Sequence, residues 1–291
     1  MPGFEIINQE EQREVDTVFR KGRGILFRHG FENLRNKSFK VEKFEKNFKD
    51  KFNLNFTLAV TSGTAALRVA LACKKIGKKD EVITQSFTFV ATVEAIVESG
   101  AKPVCTEIDE TLNMCPKDLE KKITKRTKAV IVVHMLGTPA KLNPIKKICK
   151  KYNLTLIEDT AWGIGGKYNK KYLGNCGDIG TYSFDFAKSL TTGEGGMISF
   201  KSKKDYLAAK AWHDHGHENN PKLPRWEDSR TSSGFNYRMN EMQGAVGIIQ
   251  LKKFSKLFNV QKKNRTLIMN KIKKIKEITI RSKPQNSTEA P

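Results

Sequence analysis

Short apolar runs rich in β-branched residues alternate along this chain with longer segments whose apolar residues recur at helical spacing. Val41, Phe44, Phe48 and Phe52, for example, fall on one face of a predicted helix. Strands and helices in regular alternation are typical of an α/β fold with a mostly parallel sheet between helices. The predicted strands are 58–60, 81–84, 102–105, 128–134, 154–159, 180–184 and 196–200; the predicted helices are 9–22, 39–52, 65–75, 90–99, 116–123 and 141–152.

The two ends of the chain depart from this alternation. Residues 9–22 have the pattern of an exposed amphipathic helix, and a long helical pattern runs from about Asn240 to Lys276. A helix of this length would extend beyond one layer of a globular domain, so we expect it to lead out of the α/β unit. The polar end, RSKPQNSTEAP, predicts no closing element. These patterns divide the chain into an N-terminal helical segment (1–22), a large domain (23–250), and a linking helix with the start of a second, small domain (251–291).

Composition narrows the class of protein. The net charge is +22, yet the basic residues are spread along the chain rather than gathered in one stripe, so we expect no nucleic-acid partner; an anionic small substrate fits the charge equally well. The five cysteines form no CxxC pair, which argues against a disulfide framework or zinc ribbon. No segment resembles a signal peptide or a membrane span. We therefore expect a cytoplasmic protein without membrane insertion.

Three features that could carry chemistry fall at the predicted carboxyl ends of strands, where open α/β sheets bind ligands. In the turn 61–64, Gly63 lets an anion approach the backbone, Thr64 offers a hydroxyl, and the following helix start favours negative charge. By itself such a turn is more often a simple helix cap. Asp159, with Glu158 before it, ends another strand and is either a ligand residue or a cap.

The third feature is Lys188, which follows a strand and precedes the glycine-rich turn 193–196. A lysine that performs covalent chemistry needs partial burial to lower its pKa, whereas an isolated lysine in this lysine-rich chain would face solvent. The combination is more specific than its parts. Pyridoxal phosphate (PLP) requires an anion cradle, a carboxylate for its pyridine nitrogen and a lysine for a Schiff base. Phe87 or Phe89 could supply the flat apolar partner for its ring.

Five segments together resemble the DegT/DnrJ/StrS family of sugar aminotransferases, in order, over roughly residues 1–280. They are SGTAAL, SFTFVAT, IEDTAWGIGG, GDIGTYSFDFAKSLTTGEGGMI and GFNYRMNEMQGA. The resemblance implies the aspartate-aminotransferase fold (fold type I), PLP as cofactor, and a homodimer with its active sites at the subunit interface. It also implies that the large domain binds the cofactor.

The resemblance further assigns roles to individual residues. Lys188 would form the Schiff base and Asp159 would pair with the pyridine nitrogen, which makes these two the catalytic residues. The remaining cofactor-binding residues are Gly63, Thr64 and Ser183 at the phosphate, Phe89 on the ring, and Asn236 at the phosphate of the partner subunit. No metal is expected.

The chain departs from the family pattern in two places. The family usually has Gln or His three positions after the aspartate, where it touches the phenolic oxygen of the cofactor. Trp162 stands there instead, and an indole can only donate a hydrogen bond, so we expect a different cofactor contact from Trp162. The chain also ends well before the end of the family pattern, so most of the small domain is expected to be absent.

The resemblance implies transfer of an amino group from an amino acid, L-glutamate in the first place, to a keto sugar. Some members of the family carry His in place of the lysine and act as dehydratases, so Lys188 favours amino transfer. Alternatively, a chain with a large domain only could be a non-catalytic, cofactor-binding or DNA-associated protein; the presence of Lys188 and Asp159 argues against this.

Four segments, MPGFE, SFD, TTGEGG and HDHGH, look most like the 8-amino-3,8-dideoxy-octulosonate transaminase subgroup. That subgroup aminates an eight-carbon acid sugar of lipopolysaccharide. A nucleotide-linked 3- or 4-keto sugar is the alternative substrate. The histidines of HDHGH (213–217) could suggest a metal site, but no cysteine or further carboxylate stands at ligand spacing. We expect this run to line the sugar site or an interface.

Overall fold

The computed structural model describes residues 2–220, 222–230 and 232–291. Its strands are β1 (Phe56–Val60), β2 (Glu81–Gln85), β3 (Lys102–Thr106), β4 (Thr127–Val133), β5 (Thr155–Asp159), β6 (Lys167–Tyr168), β7 (Lys171–Tyr172), β8 (Ile179–Ser183), β9 (Gly196–Phe200) and β10 (Ser287–Thr288). Its α-helices are α1 (Gln9–Arg20), α2 (Lys40–Phe52), α3 (Gly63–Cys73), α4 (Val90–Glu98), α5 (Pro116–Lys122), α6 (Leu142–Lys151), α7 (Lys203–Trp212) and α8 (Glu241–Ile272).

A seven-stranded sheet forms the centre of the described structure, in the order β1-β9-β8-β5-β4-β2-β3. Strand β9 is antiparallel to both of its neighbours, while β8, β5, β4, β2 and β3 pair in parallel. Because β1 and β8 are both antiparallel to β9, the carboxyl ends of β1, β8, β5, β4 and β2 meet at one edge. The predicted mostly parallel mixed sheet is confirmed, and this edge is where the candidate site should lie.

The predicted apolar face of α2 is buried in an aromatic core. Val41, Phe44 and Phe48 have no exposed surface. The ring centroid of Phe48 lies 5.0 Å from that of Tyr182 and 5.6 Å from that of Phe184, in the edge-to-face arrangement that aromatic quadrupoles favour. Helix α8 packs against α2 in the same core, with Gly247 next to the ring of Phe44, and α2 in turn contacts β1.

Helix α8 begins with a complete capping box, in which Asn240 and Gln243 exchange side-chain and backbone hydrogen bonds. Its first half is buried, whereas Leu267 and Ile268 are more than half exposed. That this helix leads out of the large domain stays a prediction. Residues 250 and 251, our predicted domain boundary, lie inside the helix without a break.

The polar C-terminal segment does have a closing element, so the prediction of none is wrong. Strand β10 pairs with β6 in a small three-stranded sheet with β7. Arg281 donates hydrogen bonds to the carbonyls of Met135 and Leu136, and the N–H of Ala290 donates to Gly137. The strands have only two residues each, and the other contacts join residues that are far apart in the chain. Neither feature produces a periodic pattern in the sequence.

None of the helices in the described ranges is long and apolar enough to cross a membrane.

Candidate active site

The N-terminus of α3 forms an anion cradle against the end of β8. Ser62 caps the helix, its hydroxyl accepting from the N–H of Ala65, so the first N–H groups of the helix point outward. A Cβ at Gly63 would lie only 2.8 Å from the Cβ of Ser183. Glycine is therefore what allows Ser183 to approach the helix start. Backbone donors, the hydroxyls of Ser183 and Thr64, and the helix dipole suit a phosphate.

Asp159 lies at the carboxyl end of β5 and is 6% exposed. The hydroxyl of Thr92 donates to its Oδ2 at 2.9 Å, and the N–H of Ala161 donates to its Oδ1 at 3.2 Å. Burial raises the pKa of Asp159, although these bonds and the charge of Lys188 oppose the rise. Among the described residues, no Lys, Arg or His forms an ion pair with this carboxylate, so it would gain from a cationic ligand such as a protonated pyridine nitrogen.

Glu158 faces the other side of the sheet, because successive side chains of a strand alternate. It accepts hydrogen bonds from the N–H groups of Gly174, Cys176 and Gly177 and from the ring of His134 at 2.9 Å. Burial alone would raise the pKa of Glu158, but these donors outweigh it and lower the pKa. Glu158 is thus a structural anchor. The sequence by itself implied that Glu158 and Asp159 point to opposite faces of the sheet, because side chains alternate along a strand.

Lys188 follows β8 in a tight turn, in which its N–H donates to the carbonyl of Asp185. Its Nζ lies 3.7 Å from the centroid of the Trp162 ring. Burial lowers the pKa of Lys188, partly opposed by the charges of Asp185 and Asp159. A cavity of about 200 Å³ opens beside Lys188 and Trp162. Lys188 therefore has the partial burial that a reactive amine needs.

Six of the predicted residues lie at this edge, where Thr64 and Trp162 are exposed and the other four are buried or half-buried. The six are Gly63, Thr64, Asp159, Trp162, Ser183 and Lys188. Phe89 is 67% exposed just before α4, and Asn236 is also exposed. The carbonyl of Tyr237 accepts from the N–H of Thr61, so the Asn236 segment runs beside the cradle. The roles of all eight residues stay predictions.

Two contributors to the site were not predicted. Thr92 orients the Asp159 carboxylate from α4, and the N–H of Gly3 donates to the carbonyl of Lys188 at 2.8 Å. A Cβ at Gly3 would lie 2.9 Å from the carbonyl of Ser189, so the N-terminal segment packs closely under the lysine turn. Both contacts join residues far apart in the sequence. Neither has a residue-type signal of its own.

The HDHGH run is engaged in internal contacts. The carboxylate of Asp214 has no exposed surface and forms ion pairs with Arg225 and Arg238, and Nε2 of His29 lies 3.4 Å from it. Nε2 of His213 lies 3.3 Å from the guanidinium of Arg28, which donates to it. These side chains hold the loop to the domain, while His215 is exposed, and the expectation that the run lines the sugar site or an interface stays a prediction. Among the described residues, no group of three or more His, Cys, Asp or Glu could hold a metal ion.

His213 predicts how stability depends on pH. Burial, aided by the charge of Arg28, lowers its pKa from 6.5 to about 3. The folded protein keeps His213 neutral while the unfolded chain takes up a proton, so this contribution is complete above pH 6.5 and is lost as the pH falls toward 3. We expect the free energy of unfolding to fall by about 1.4 kcal/mol per pH unit from this residue.

Urea unfolding of the wild type and of His213→Gln between pH 7 and 4.5 measures this effect. The wild type should lose more stability than the variant over this range. Burial also lowers the pKa of His29, which adds a slope of the same sign to both proteins. Equal pH slopes for the two proteins would show that His213 is charged in the folded state.

Three groups lie at the carboxyl edge of this sheet: a half-buried lysine, a buried carboxylate and a helix start opened by glycine. Together with the strand order they define a class, the PLP-dependent proteins of fold type I. The comparisons with known proteins agree with it. The model of the DegT/DnrJ/EryC1/StrS aminotransferase family matches residues 28–290, and the chain belongs to that family. Aminotransferases of this family use PLP.

GDP-perosamine synthases from Escherichia coli O157:H7 and Caulobacter vibrioides are each 39% identical to this chain, over 212 and 214 residues. The matches cover 72% and 73% of this chain and 57% and 56% of those proteins, so the chain spans little more than half their length. The X-ray structure of an aminotransferase from Psychrobacter cryohalolentis is similar, with a TM-score of 0.85 and 30% identity. That match covers 98% of this chain and 73% of that one. The predicted fold type is confirmed.

Proposed function

We propose that this protein transfers an amino group from an amino acid, L-glutamate in the first place, to a keto sugar with PLP as cofactor. The observation that carries the proposal is a half-buried Lys188 whose pKa is lowered by burial, at the same sheet edge as the buried carboxylate of Asp159. A surface lysine would have neither the depressed pKa nor such a carboxylate near it.

The residues present fit the cofactor. The start of α3 at Gly63 and Thr64, with Ser183, would hold the phosphate, and Asp159 would keep the proton on the pyridine nitrogen. Phe89 would cover the ring. When bound, PLP supplies an electron sink for the negative charge that develops at the Cα atom of the amino acid. The hydroxyl of Thr92 donates to the Asp159 carboxylate and fixes its orientation. The negative charge of Asp159 is therefore in position before the reaction begins.

Lys188 has two functions in this proposal. Its amine, neutral because burial lowers its pKa, would hold the cofactor covalently, with the aldehyde oxygen leaving as water. Once displaced, Nζ acts as general base and acid, taking the proton from Cα of the amino acid and delivering it on the cofactor side. The adjoining cavity leaves room for the amine beside Trp162.

For the sugar we propose 8-oxo-3,8-dideoxy-octulosonate, from the motifs MPGFE, SFD, TTGEGG and HDHGH, and thus a role in the biosynthesis of a cell-surface polysaccharide. A nucleotide-linked keto sugar is the second candidate, because two GDP-perosamine synthases are 39% identical to this chain. Both substrates are anionic and suit the net charge of +22.

We further propose a cytoplasmic homodimer in which Asn236 reaches the phosphate bound by the partner subunit. The exposed side chain of Asn236 is compatible with a contact across an interface. The division into an N-terminal segment (1–22), a PLP-binding domain (23–250) and a linking segment (251–291) completes the proposal.

The test is covalent labelling followed by substrate conversion. The protein loaded with PLP is reduced with borohydride and digested, and the pyridoxyl group should appear on the peptide that contains Lys188. Glutamate should convert the bound cofactor to its amino form, and a keto sugar should reverse this. The octulosonate and a GDP-linked 4-keto sugar are compared as acceptors. A label on another lysine, or no conversion with any amino acid, would overturn the proposal.

A further inference from the structure

The ε-amino group of Lys188 lies over the face of an indole. Its Nζ is 3.7 Å from the centroid of the Trp162 ring, well inside the about 6 Å over which a cation–π attraction acts. Tryptophan is the strongest of the aromatic side chains in this contact. Trp162 is 42% exposed, so one part of the ring remains in solvent while the other contacts the ammonium.

Within the described residues, Lys188 forms no ion pair with a carboxylate at 4.0 Å or less. Other partly buried lysines of this chain do: Lys253 lies 2.7 Å from Glu11, and Lys40 lies 2.8 Å from Glu14. The carboxylates of Asp185 and Asp159 influence Lys188 only through their charge. The indole is therefore the closest group that favours the charged form of this amine.

The turn that carries Trp162 is held firmly in place. The carboxylate of Asp159 accepts from the N–H of Ala161, and the N–H of Gly163 donates to the carbonyl of Thr160 at 3.0 Å. A Cβ at Gly163 would lie 3.0 Å from a methyl group of Thr160, so the turn has little room to move. Asp159 and Trp162 are thus positioned by one short segment.

We propose that Trp162 is a positioning residue, whose indole face binds the protonated ε-amino group of Lys188 and so sets how much of the reactive, neutral amine is present. The inference rests on the proposed function, in which Lys188 is the reactive amine. It gives Trp162 a role toward the protein's own lysine, distinct from any contact with the cofactor.

The contact has a consequence for the proton transfer. Each time Nζ takes a proton from Cα of the amino acid, it becomes an ammonium, and the indole stabilises it there. Because the ring holds the ammonium in one place, the same proton stays within reach for delivery to the cofactor side. The cost is a smaller neutral fraction of Lys188 before the reaction begins.

The experiment measures the reactivity of Lys188 in protein freed of cofactor. Wild type, Trp162→Leu and Trp162→Phe are treated with a small amine-selective acylating reagent at several pH values, and modification of the Lys188 peptide is quantified by mass spectrometry. Loss of a partly exposed cation–π contact should increase the rate about fivefold in Trp162→Leu at pH values where the amine is mostly charged. Trp162→Phe, which keeps a ring, should lie between.

Two controls separate this effect from a general loss of structure in the variants. Lys125, exposed and remote, serves as the reference peptide in every digest, and Trp226→Leu removes a tryptophan that is 81% exposed. Neither Lys125 modification nor Trp226→Leu should show the increase. Equal far-UV circular dichroism and urea midpoints for the variants exclude unfolding as the cause, and Trp162→Phe provides the comparison if Trp162→Leu unfolds.

The loaded protein gives a second measurement, since the acid limb of the pH profile for conversion by glutamate should move to lower pH in Trp162→Leu. An unchanged rate of Lys188 acylation in folded Trp162→Leu and Trp162→Phe overturns the inference. The borohydride label is independent of this outcome. A label on Lys188 with unchanged acylation leaves the proposed function standing and removes only the role of Trp162.

Discussion

Replacing Lys188 by alanine should lower conversion of the cofactor by glutamate at least ~10⁴-fold, because one side chain provides both the covalent bond and the general base. Cofactor binding should survive, since the cradle at Gly63 and the carboxylate of Asp159 do not depend on this lysine. Borohydride reduction of the variant should leave no pyridoxyl label on the chain. Single-turnover absorbance measurements with glutamate give the rate.

Lys125→Ala is the matched control, because it removes an exposed lysine of the same length far from the sheet edge. It should behave as the wild type in both measurements. Added methylamine, which can enter the vacated space and take up the proton, should restore part of the rate of Lys188→Ala. A variant that still converts within tenfold of the wild type would mean that another lysine does this work.

Replacing Asp159 by asparagine should lower the same rate by about 10³-fold, since a preorganised charge aimed at developing charge is worth several kcal/mol. The amide has nearly the shape of the carboxylate: its oxygen can accept from the N–H of Ala161, and its NH2 group can donate to the hydroxyl of Thr92, which then accepts, so the fold should persist. What is lost is the negative charge that keeps the pyridine nitrogen protonated. The absorbance of the bound cofactor should also change.

Glu158→Gln is the control from the neighbouring position. Glu158 is fully buried among donors on the far face of β5, so an amide nitrogen there would oppose an N–H group and leave it without an acceptor. This should cost about 1–3 kcal/mol of unfolding free energy, measured in urea, with little change in turnover per folded molecule. The opposite pattern, in which Glu158→Gln loses turnover and Asp159→Asn loses stability, would contradict the assignment of the two carboxylates.

The sequence predicted the elements of the central sheet well because their patterns are local. The apolar runs at 81–84 and 154–159 appear as β2 and β5 with ends displaced by about one residue, within the usual uncertainty of element boundaries. The β6–β7 hairpin and β10 were not predicted, since strands of two residues have no periodicity to detect.

Residue type and order by themselves determined the class of fold and the candidate residues Lys188, Asp159 and Gly63, because a cofactor that needs a lysine, a carboxylate and an anion cradle restricts all three at once. Only the tertiary structure decided that backbone N–H groups anchor Glu158, that Thr92 orients Asp159, and that the Lys188 amine lies on Trp162. These facts depend on contacts between distant segments and on the exact direction of side chains. A one-dimensional pattern fixes neither, whereas the packing of strands and turns around a common edge fixes both.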